Sequence, residues 1–317
     1  QFLEVPMSLL CVGSVAYDVI ELPGRAPVEV LGGSATWFCT AAGLLSRPQL
    51  VAVVGDDFSE DDVHFLRQRG VDTSGLARKP GTTFRWHGRY HADLIGRDSL
   101  KTELGVFADF SPVIPAAWRA PDVLFLGNIK PDLRGLGLAQ ARDARFVGLD
   151  TIECWIAGFR DELVRLMPRV DLLFVNDDEV RQLSGEVNVL KAARCVLDMG
   201  ARAIVVKRGE HGAVLVSPDG LALFPAFPLE GVVDPTGAGD CFAGATLAYL
   251  DHVGDFSSSA IRRALAVGTV MGSFCVQGFG PRSLADVRLS DVRGRLAKYA
   301  DFVALERDLL LSDLEIG

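Results

Sequence analysis

No Gly-Lys dipeptide occurs anywhere in the 317 residues. That absence excludes a Walker-type phosphate loop, whose lysine reaches the terminal phosphates. No Gly-x-Ser-x-Gly elbow is present either, so an α/β-hydrolase nucleophile is excluded. The six cysteines (Cys11, Cys39, Cys154, Cys195, Cys241, Cys275) are scattered, and no two have the spacing of a zinc knuckle or a thioredoxin-like pair. Reduced, mostly buried thiols in a cytoplasmic protein are the simplest reading. His87 and His91 share a strand face with no third ligand nearby in sequence, which argues against a zinc site. Positive charge is in deficit, at −9 formally, which argues against nucleic-acid binding through clustered Lys and Arg. Long hydrophobic runs are also missing. The longest uncharged stretch, 264–281, carries several glycines, Ser273, Gln277 and a proline, so it reads as a buried helix followed by a turn rather than a membrane span. Residues 1–6 lack the basic and apolar regions of a secretory signal. Met7 reads as a native start, with cloning residues before it. Repeats, low-complexity tracts and linker-like segments are absent too.

What is present is material for a core, since 49% of residues are apolar and 23% charged. One main domain spanning 1–317 follows. Short β-rich runs recur: Leu9–Gly13, Leu50–Gly55, Val123–Gly127, Phe146–Asp150, Leu172–Asn176 and Ala203–Lys207. Near-continuous apolar strands ending in Gly, Asp or Asn are what a parallel sheet covered on both faces requires. Between the last two runs, Val189, Ala192, Ala193, Val196 and Leu197 repeat at helical spacing and predict a crossover helix. The fold class is therefore α/β, with a mostly parallel sheet between helical layers.

One region breaks the rhythm. From Thr82 to Phe110, aromatics alternate with charges (Phe84, Arg85, Trp86, His87, Arg89, Tyr90, His91), then come Arg97, Lys101, Phe107 and Phe110. The pattern predicts exposed antiparallel strands standing off the main sheet, a lid formed by about 21–30 together with 82–110. Its aromatics could sandwich a base or bury a face against a second subunit's lid. Its cations could grip a phosphate or simply be solvated.

The segment Asp234-Pro-Thr-Gly-Ala-Gly-Asp240 leads from an extended stretch into a helix rich in small residues. Gly237, Ala238 and Gly239 allow a tight turn whose N–H groups point at an anion on the helix N-terminus. Asp240, one step further, is placed to take a proton from a hydroxyl attacking a phosphoryl group. The plainer alternative is an ordinary Gly-rich helix start capped by Thr236 or Asp240. Asp18 ends a buried strand, where a carboxylate needs hydrogen-bonding partners such as polyol hydroxyls, or caps a neighbouring loop. Gly32 and Gly33 permit close approach of a ligand or merely start the helix through Trp37 to Leu45. Asn176 and Glu179, at a strand's carboxyl end, offer oxygens to a hydrated Mg²⁺ or form a capping box.

The 234–240 string resembles the C-terminal signature of the ribokinase, or PfkB-type, family of carbohydrate and nucleoside kinases. Other pieces fall in the family's order over nearly the whole chain. Gly13-Ser-Val-Ala-Tyr-Asp18 resembles the first strand, which presents a substrate-binding Asp, and Leu31-Gly-Gly-Ser34 the paired glycines. Val54-Gly-Asp-Asp-Phe58 resembles the segment after the next strand. Asn176-Asp-Asp-Glu179 resembles the Asn-x-x-Glu motif, and Lys207-Arg-Gly-Glu-His-Gly212 the nucleotide-binding loop. The resemblance implies a ribokinase-like three-layer α/β/α sandwich with a β-strand lid, and an ATP-dependent kinase acting on a hydroxyl of a small sugar or sugar-like molecule. A nucleoside kinase or a non-catalytic sugar sensor are the alternatives. It implies Asp240 as base, with Gly237, Ala238 and Gly239 as anion hole, and Asp18, Gly32, Gly33 and Trp37 at the substrate. Nucleotide contacts fall on Asn176, Lys207, Gly209, Gly212, Thr236, Gly268 and Ser273, and Mg²⁺ on Glu179 and Asn176 through water. A monovalent cation (K⁺) and a homodimer formed through the lid are further features of the family pattern. Two positions depart from it: Trp37 and Ala16 stand where the family usually carries Asn, so simple ribokinase specificity is not expected.

Overall fold

A computed structural model of the chain describes residues 8–91 and 96–304. The expected start at Met7 and the cloning residues 1–6 lie outside the described residues, as does the side chain of Arg97. In chain order the elements are β1 (Leu9–Val12), β2 (Ala16–Glu21), β3 (Val28–Gly32), α1 (Ser34–Ala42), β4 (Gln49–Val54), α2 (Glu60–Gln68), β5 (Leu76–Arg78), β6 (Phe84–Tyr90), β7 (Arg97–Glu103), β8 (Val123–Leu126) and α3 (Pro131–Gln140). There follow β9 (Phe146–Asp150), α4 (Glu153–Leu166), β10 (Leu172–Asn176), α5 (Asp177–Ser184), α6 (Val189–Leu197), β11 (Ile204–Lys207), β12 (Ala213–Ser217), β13 (Gly220–Phe224), α7 (Ala238–Val253), α8 (Ser258–Cys275) and α9 (Leu289–Val303).

Nine strands make the main sheet in the order β13-β12-β11-β10-β9-β8-β1-β4-β5. All neighbours are parallel except β11/β12 and β12/β13, which close one edge as antiparallel pairs. The period of two sorts each strand's side chains between two cores. Leu9, Cys11, Val123 and Phe125 join one cluster with Phe38, Ala243 and Leu247 of α1 and α7. Leu10, Val12, Leu124 and Leu126 join the other with Leu138, Leu163 and Ala192 of α3, α4 and α6. Both faces are therefore dry, which explains the unbroken apolar strands, and the three-layer α/β/α arrangement follows.

A second sheet, β3-β2-β6-β7, stands apart from the first. Here β2 pairs antiparallel with β3 and parallel with β6, and β6 pairs antiparallel with β7. Its composition corrects two sequence expectations. The run from Gly13 to Asp18 is not one strand: β1 ends at Val12, and Asp18 sits mid-strand in β2 of the smaller sheet. Phe107 and Phe110 belong to the main core rather than the lid, because the short turn Gly105–Asp109 folds them under it. Phe84 stacks on Phe107 at 5.4 Å and so joins lid to body.

Close approach of α1 and α7 depends on Gly244, where a Cβ would lie 2.3 Å from the Phe38 carbonyl oxygen. Gly244→Ala should destabilise the fold by about 1–3 kcal/mol through overpacking. A thermal melt lowered by several degrees is the expected result, and an unchanged melting temperature contradicts this packing.

Candidate active site

Four helices packed on the main sheet begin with a side-chain cap: Ser59 caps α2, Asn176 caps α5, Asn188 caps α6 and Ser257 caps α8. The start of α7, like those of α1, α3 and α4, has no such cap. Its N-cap is Gly237, at φ 75° and ψ 0°, with no side-chain hydrogen bond to the first turn. Left-handed backbone at this point favours glycine. A second constraint acts at the same atom, since a Cβ on Gly237 would lie 2.1 Å from the Trp37 ring. The Ala238 N–H is already bonded to the Pro235 carbonyl at 3.2 Å. This corrects the expectation that all of 237–239 serve an anion, and leaves the role to the remaining first-turn amides. Asp240 lies in that first turn.

A positive charge lies beside this turn. Lys207, the last residue of β11, places its Nζ 3.0 Å from where a Gly239 Cβ would be. The same Nζ donates to Asp150 Oδ2 at 2.7 Å, while Thr151 N–H donates to Asp150 Oδ1 at 2.8 Å. Burial alone would lower the Lys207 pKa, but the carboxylates of Asp150, Glu179 and Asp240 hold it above its ordinary value. Arg134 is fully buried, with Nε donating to the Gly127 carbonyl at 3.1 Å. Burial lowers its pKa to about 10 against the pull of Asp150, so it stays charged at neutral pH.

Glu179 is 5% exposed. Its Oε2 accepts from the Asn176 N–H at 2.7 Å and its Oε1 from Asn176 Nδ2 at 2.9 Å, while Asn176 Oδ1 accepts from the Glu179 N–H at 2.7 Å. The capping box is thus real. Burial is the chief cause that pushes Glu179 up to about 7, against Lys207, which lowers it. A buried carboxylate so disfavoured as an anion suits a nearby cation, yet both oxygens are engaged. The pair therefore fits Mg²⁺ through its water shell rather than by direct ligation. Among the described residues no three His, Cys, Asp or Glu side chains form a metal cage.

The smaller sheet carries the residues expected at the acceptor. Gly32 lies against Asp18, whose Oδ2 would be 2.1 Å from a Cβ there, and Gly33, at φ 89°, passes close to the Ser14 carbonyl. The paired glycines thus make room for Asp18 and for a backbone crossing, and the ligand approach expected at Gly32 is taken by Asp18's carboxylate. Asp18 is registered opposite Trp86 of β6, so the two share a face with Tyr90, two pleats on. Tyr90 hydroxyl meets Thr236 Oγ1 at 2.9 Å, which turns this face toward the start of α7. The Trp86 ring lies over Gly88, and its Nε1 donates to Ser99 Oγ at 2.7 Å.

Trp37 is corrected. At 2% exposure it packs with Ala41, Cys241 and Met271 and can stack on no ligand; it fills the core beneath Gly237. Gly268 lies at the α7/α8 contact, where a Cβ would meet Thr246 Oγ1 at 2.3 Å. Ser273 accepts from Arg295 of α9 at 2.8 Å. Both are engaged in helix packing. Gly209 and Gly212 take positive φ in the turn after Lys207, Gly212 packed against the Phe224 carbonyl. Sequence reasoning missed Asp150 and Arg134. Asp150 carried a signal, an acid at the carboxyl end of a parallel strand, like Asn176. Arg134 carried none, since one Arg in a short helix reads as surface.

The pfkB family carbohydrate kinase profile matches residues 7–287. A cytidine kinase of Thermococcus kodakarensis is 32% identical over 249 residues, 76% of this chain and 88% of that protein. A deoxyribokinase of Salmonella typhi is 31% identical over 300 residues, 87% and 95%. Among solved structures, a Thermotoga maritima ribokinase aligns with TM-score 0.75 at 24% identity, covering 92% of this chain and 99% of that one. An aminoimidazole riboside kinase from Salmonella enterica, complexed with aminoimidazole riboside and an ATP analogue, aligns with TM-score 0.73 at 22% identity, covering 91% and 99%.

The raised Glu179 pKa has a sign. Between its unfolded value near 4.5 and its folded value of about 7, the folded state retains a proton that the unfolded state releases, so this stability is full at low pH and lost as pH rises. In EDTA, the melting temperature of wild type should fall more steeply from about pH 5 to about pH 8 than that of Glu179→Gln. Parallel curves contradict the assignment.

Proposed function

The chain belongs to the pfkB family of carbohydrate kinases, and from that premise we propose that it transfers the γ-phosphoryl group of ATP to a ribose hydroxyl of a nucleoside, with Asp240 as general base. The observation that carries the reading is the uncapped start of α7, with Asp240 in its first turn and Lys207 Nζ over Gly239. The acceptor hydroxyl gives its proton to the Asp240 carboxylate as its oxygen bonds to phosphorus, and the bond to the bridging oxygen of ADP breaks. Lys207 and the first-turn amides stabilise charge on the transferring group. Mg²⁺, when bound, supplies further charge compensation at the phosphates, and Glu179 and Asn176 would hold it through water.

Two features favour a nucleoside over a free sugar. Asp18 is suited to sugar hydroxyls, and its register partner Trp86 offers an indole on the same face. The long similarity to a cytidine kinase supports the same class. The Tyr90–Thr236 bond supports a lid that shuts water away from the phosphoryl group. Free, buried Cys11, Cys39, Cys241 and Cys275 support a reducing, cytoplasmic setting.

ADP release measured across cytidine, uridine, adenosine, inosine, ribose, deoxyribose and 2-dehydro-3-deoxygluconate tests both parts. A nucleoside should lead in kcat/KM, and Asp240→Asn should lower kcat by roughly 10²–10⁴-fold. A free sugar in first place overturns the acceptor, activity surviving Asp240→Asn overturns the mechanism, and silence across the panel favours a sensor without turnover.

A further inference from the structure

Three candidates stand outside the roles given above: the buried pair Cys241 and Cys275, the latch of Tyr17, Asp62 and Arg282 under the smaller sheet, and the Asp150–Arg134 pair behind Lys207. The thiols are fully buried, out of an oxidant's reach, and the latch is explained by holding β2 to α2. The third carries an inference.

We infer that Asp150 is a positioning residue for phosphoryl transfer, acting through Lys207; the inference rests on the kinase reading and on Lys207's place at the transferring group. A lysine side chain is a flexible stem with a point charge at its end. Three carboxylates attract this one: Asp150, Glu179 and Asp240. Lys207 drawn onto Asp240 would occupy the base with an ion pair and vacate the space over Gly239. Asp150 decides the competition. It is 3% exposed, ends β9 two strands from Lys207, and is fixed by the Thr151 N–H at 2.8 Å on one oxygen and Lys207 Nζ at 2.7 Å on the other. The other two protons of the ammonium remain to meet a phosphoryl oxygen.

An isolated carboxylate this deep would be costly, and Arg134 offsets it. Its guanidinium is held from below by the Gly127 carbonyl, and its Nη1 lies 3.5 Å from Thr151 Oγ1. Its Nη2 is buried with no partner. Such an arginine adds little through its own hydrogen bonds, and its charge is accounted for by the acids around it, Asp150 and Glu179. Arg134, Asp150 and Lys207 thus alternate in charge, with Lys207 beside the start of α7.

A double-mutant cycle in kcat tests this, using cytidine or whichever panel acceptor ranks first, with MgATP saturating. Asp150→Asn keeps the shape and the Thr151 bond but releases Lys207. It should lower kcat about tenfold to a hundredfold, as small misplacements of a transfer group do, with acceptor KM changed less than twofold. In a Lys207→Met background, or Lys207→Gln if the methionine variant misfolds, the same change should cost less than twofold. Equal losses in both backgrounds would show a general structural role and overturn the inference, as would an unchanged kcat in Asp150→Asn. Full activity in Lys207→Met alone overturns it at its first step, the place of Lys207. A wild-type protein that phosphorylates nothing removes the kinase reading, and the inference falls with it.

Discussion

The structure turns on a helix that begins without a cap. An α-helix exposes N–H groups at its start, and these need something to accept from them. Neighbouring helices solve this internally with Asn176, Asn188 and Ser257. At α7 the solution is withheld: Gly237 replaces a capping side chain, and Trp37 fills the space beneath it so that the turn has one conformation. Around that start further bonds gather. Thr236 is tied to Asp234 at 2.9 Å through its N–H and to Tyr90 of the smaller sheet through its hydroxyl.

A parallel sheet supplies the rest. The carboxyl ends of β9, β10 and β11 deliver Asp150, Asn176 and Lys207 to neighbouring positions in fixed register, Asn176 opposite Lys207 and Phe174 opposite Asp150. Side chains with charge are expensive there, and the cost appears as the raised pKa of Glu179 and the lowered pKa of Arg134. Folding stability gains nothing from a carboxylate kept near neutrality in a dry pocket. On the proposed reading, the charges of a polyphosphate and its metal ion would meet groups already desolvated and oriented.

Much of this was legible in the sequence, for reasons that can be stated. Unbroken apolar runs such as Val123–Leu126 announced strands buried on both faces, and the alternation of Phe84 to Tyr90 announced a sheet with one polar side. Asp240 and Lys207 were legible because local backbone geometry, a Gly-rich turn or a strand end, fixes where they point. What failed depended on distance in space. Asp18 was taken for the end of a main-sheet strand, because nothing local marks the break at 13–15 that sends the chain into the second sheet. Trp37 was assigned to the ligand, because only the approach of Gly237, two hundred residues later, shows that its ring is covered. Phe107 and Phe110 carry the same composition whether they face a lid or a core.

The central claim is that the migrating phosphoryl group sits on the start of α7, between its amides and the Asp240 carboxylate. A crystal structure with a non-hydrolysable ATP analogue, Mg²⁺ and the acceptor tests it directly. The account predicts γ-phosphoryl oxygens at hydrogen-bonding distance, about 3 Å, from first-turn amides and from Lys207 Nζ, with the acceptor hydroxyl on Asp240. A γ-phosphoryl group bound away from Gly239, or an acceptor hydroxyl out of Asp240's reach, would contradict it.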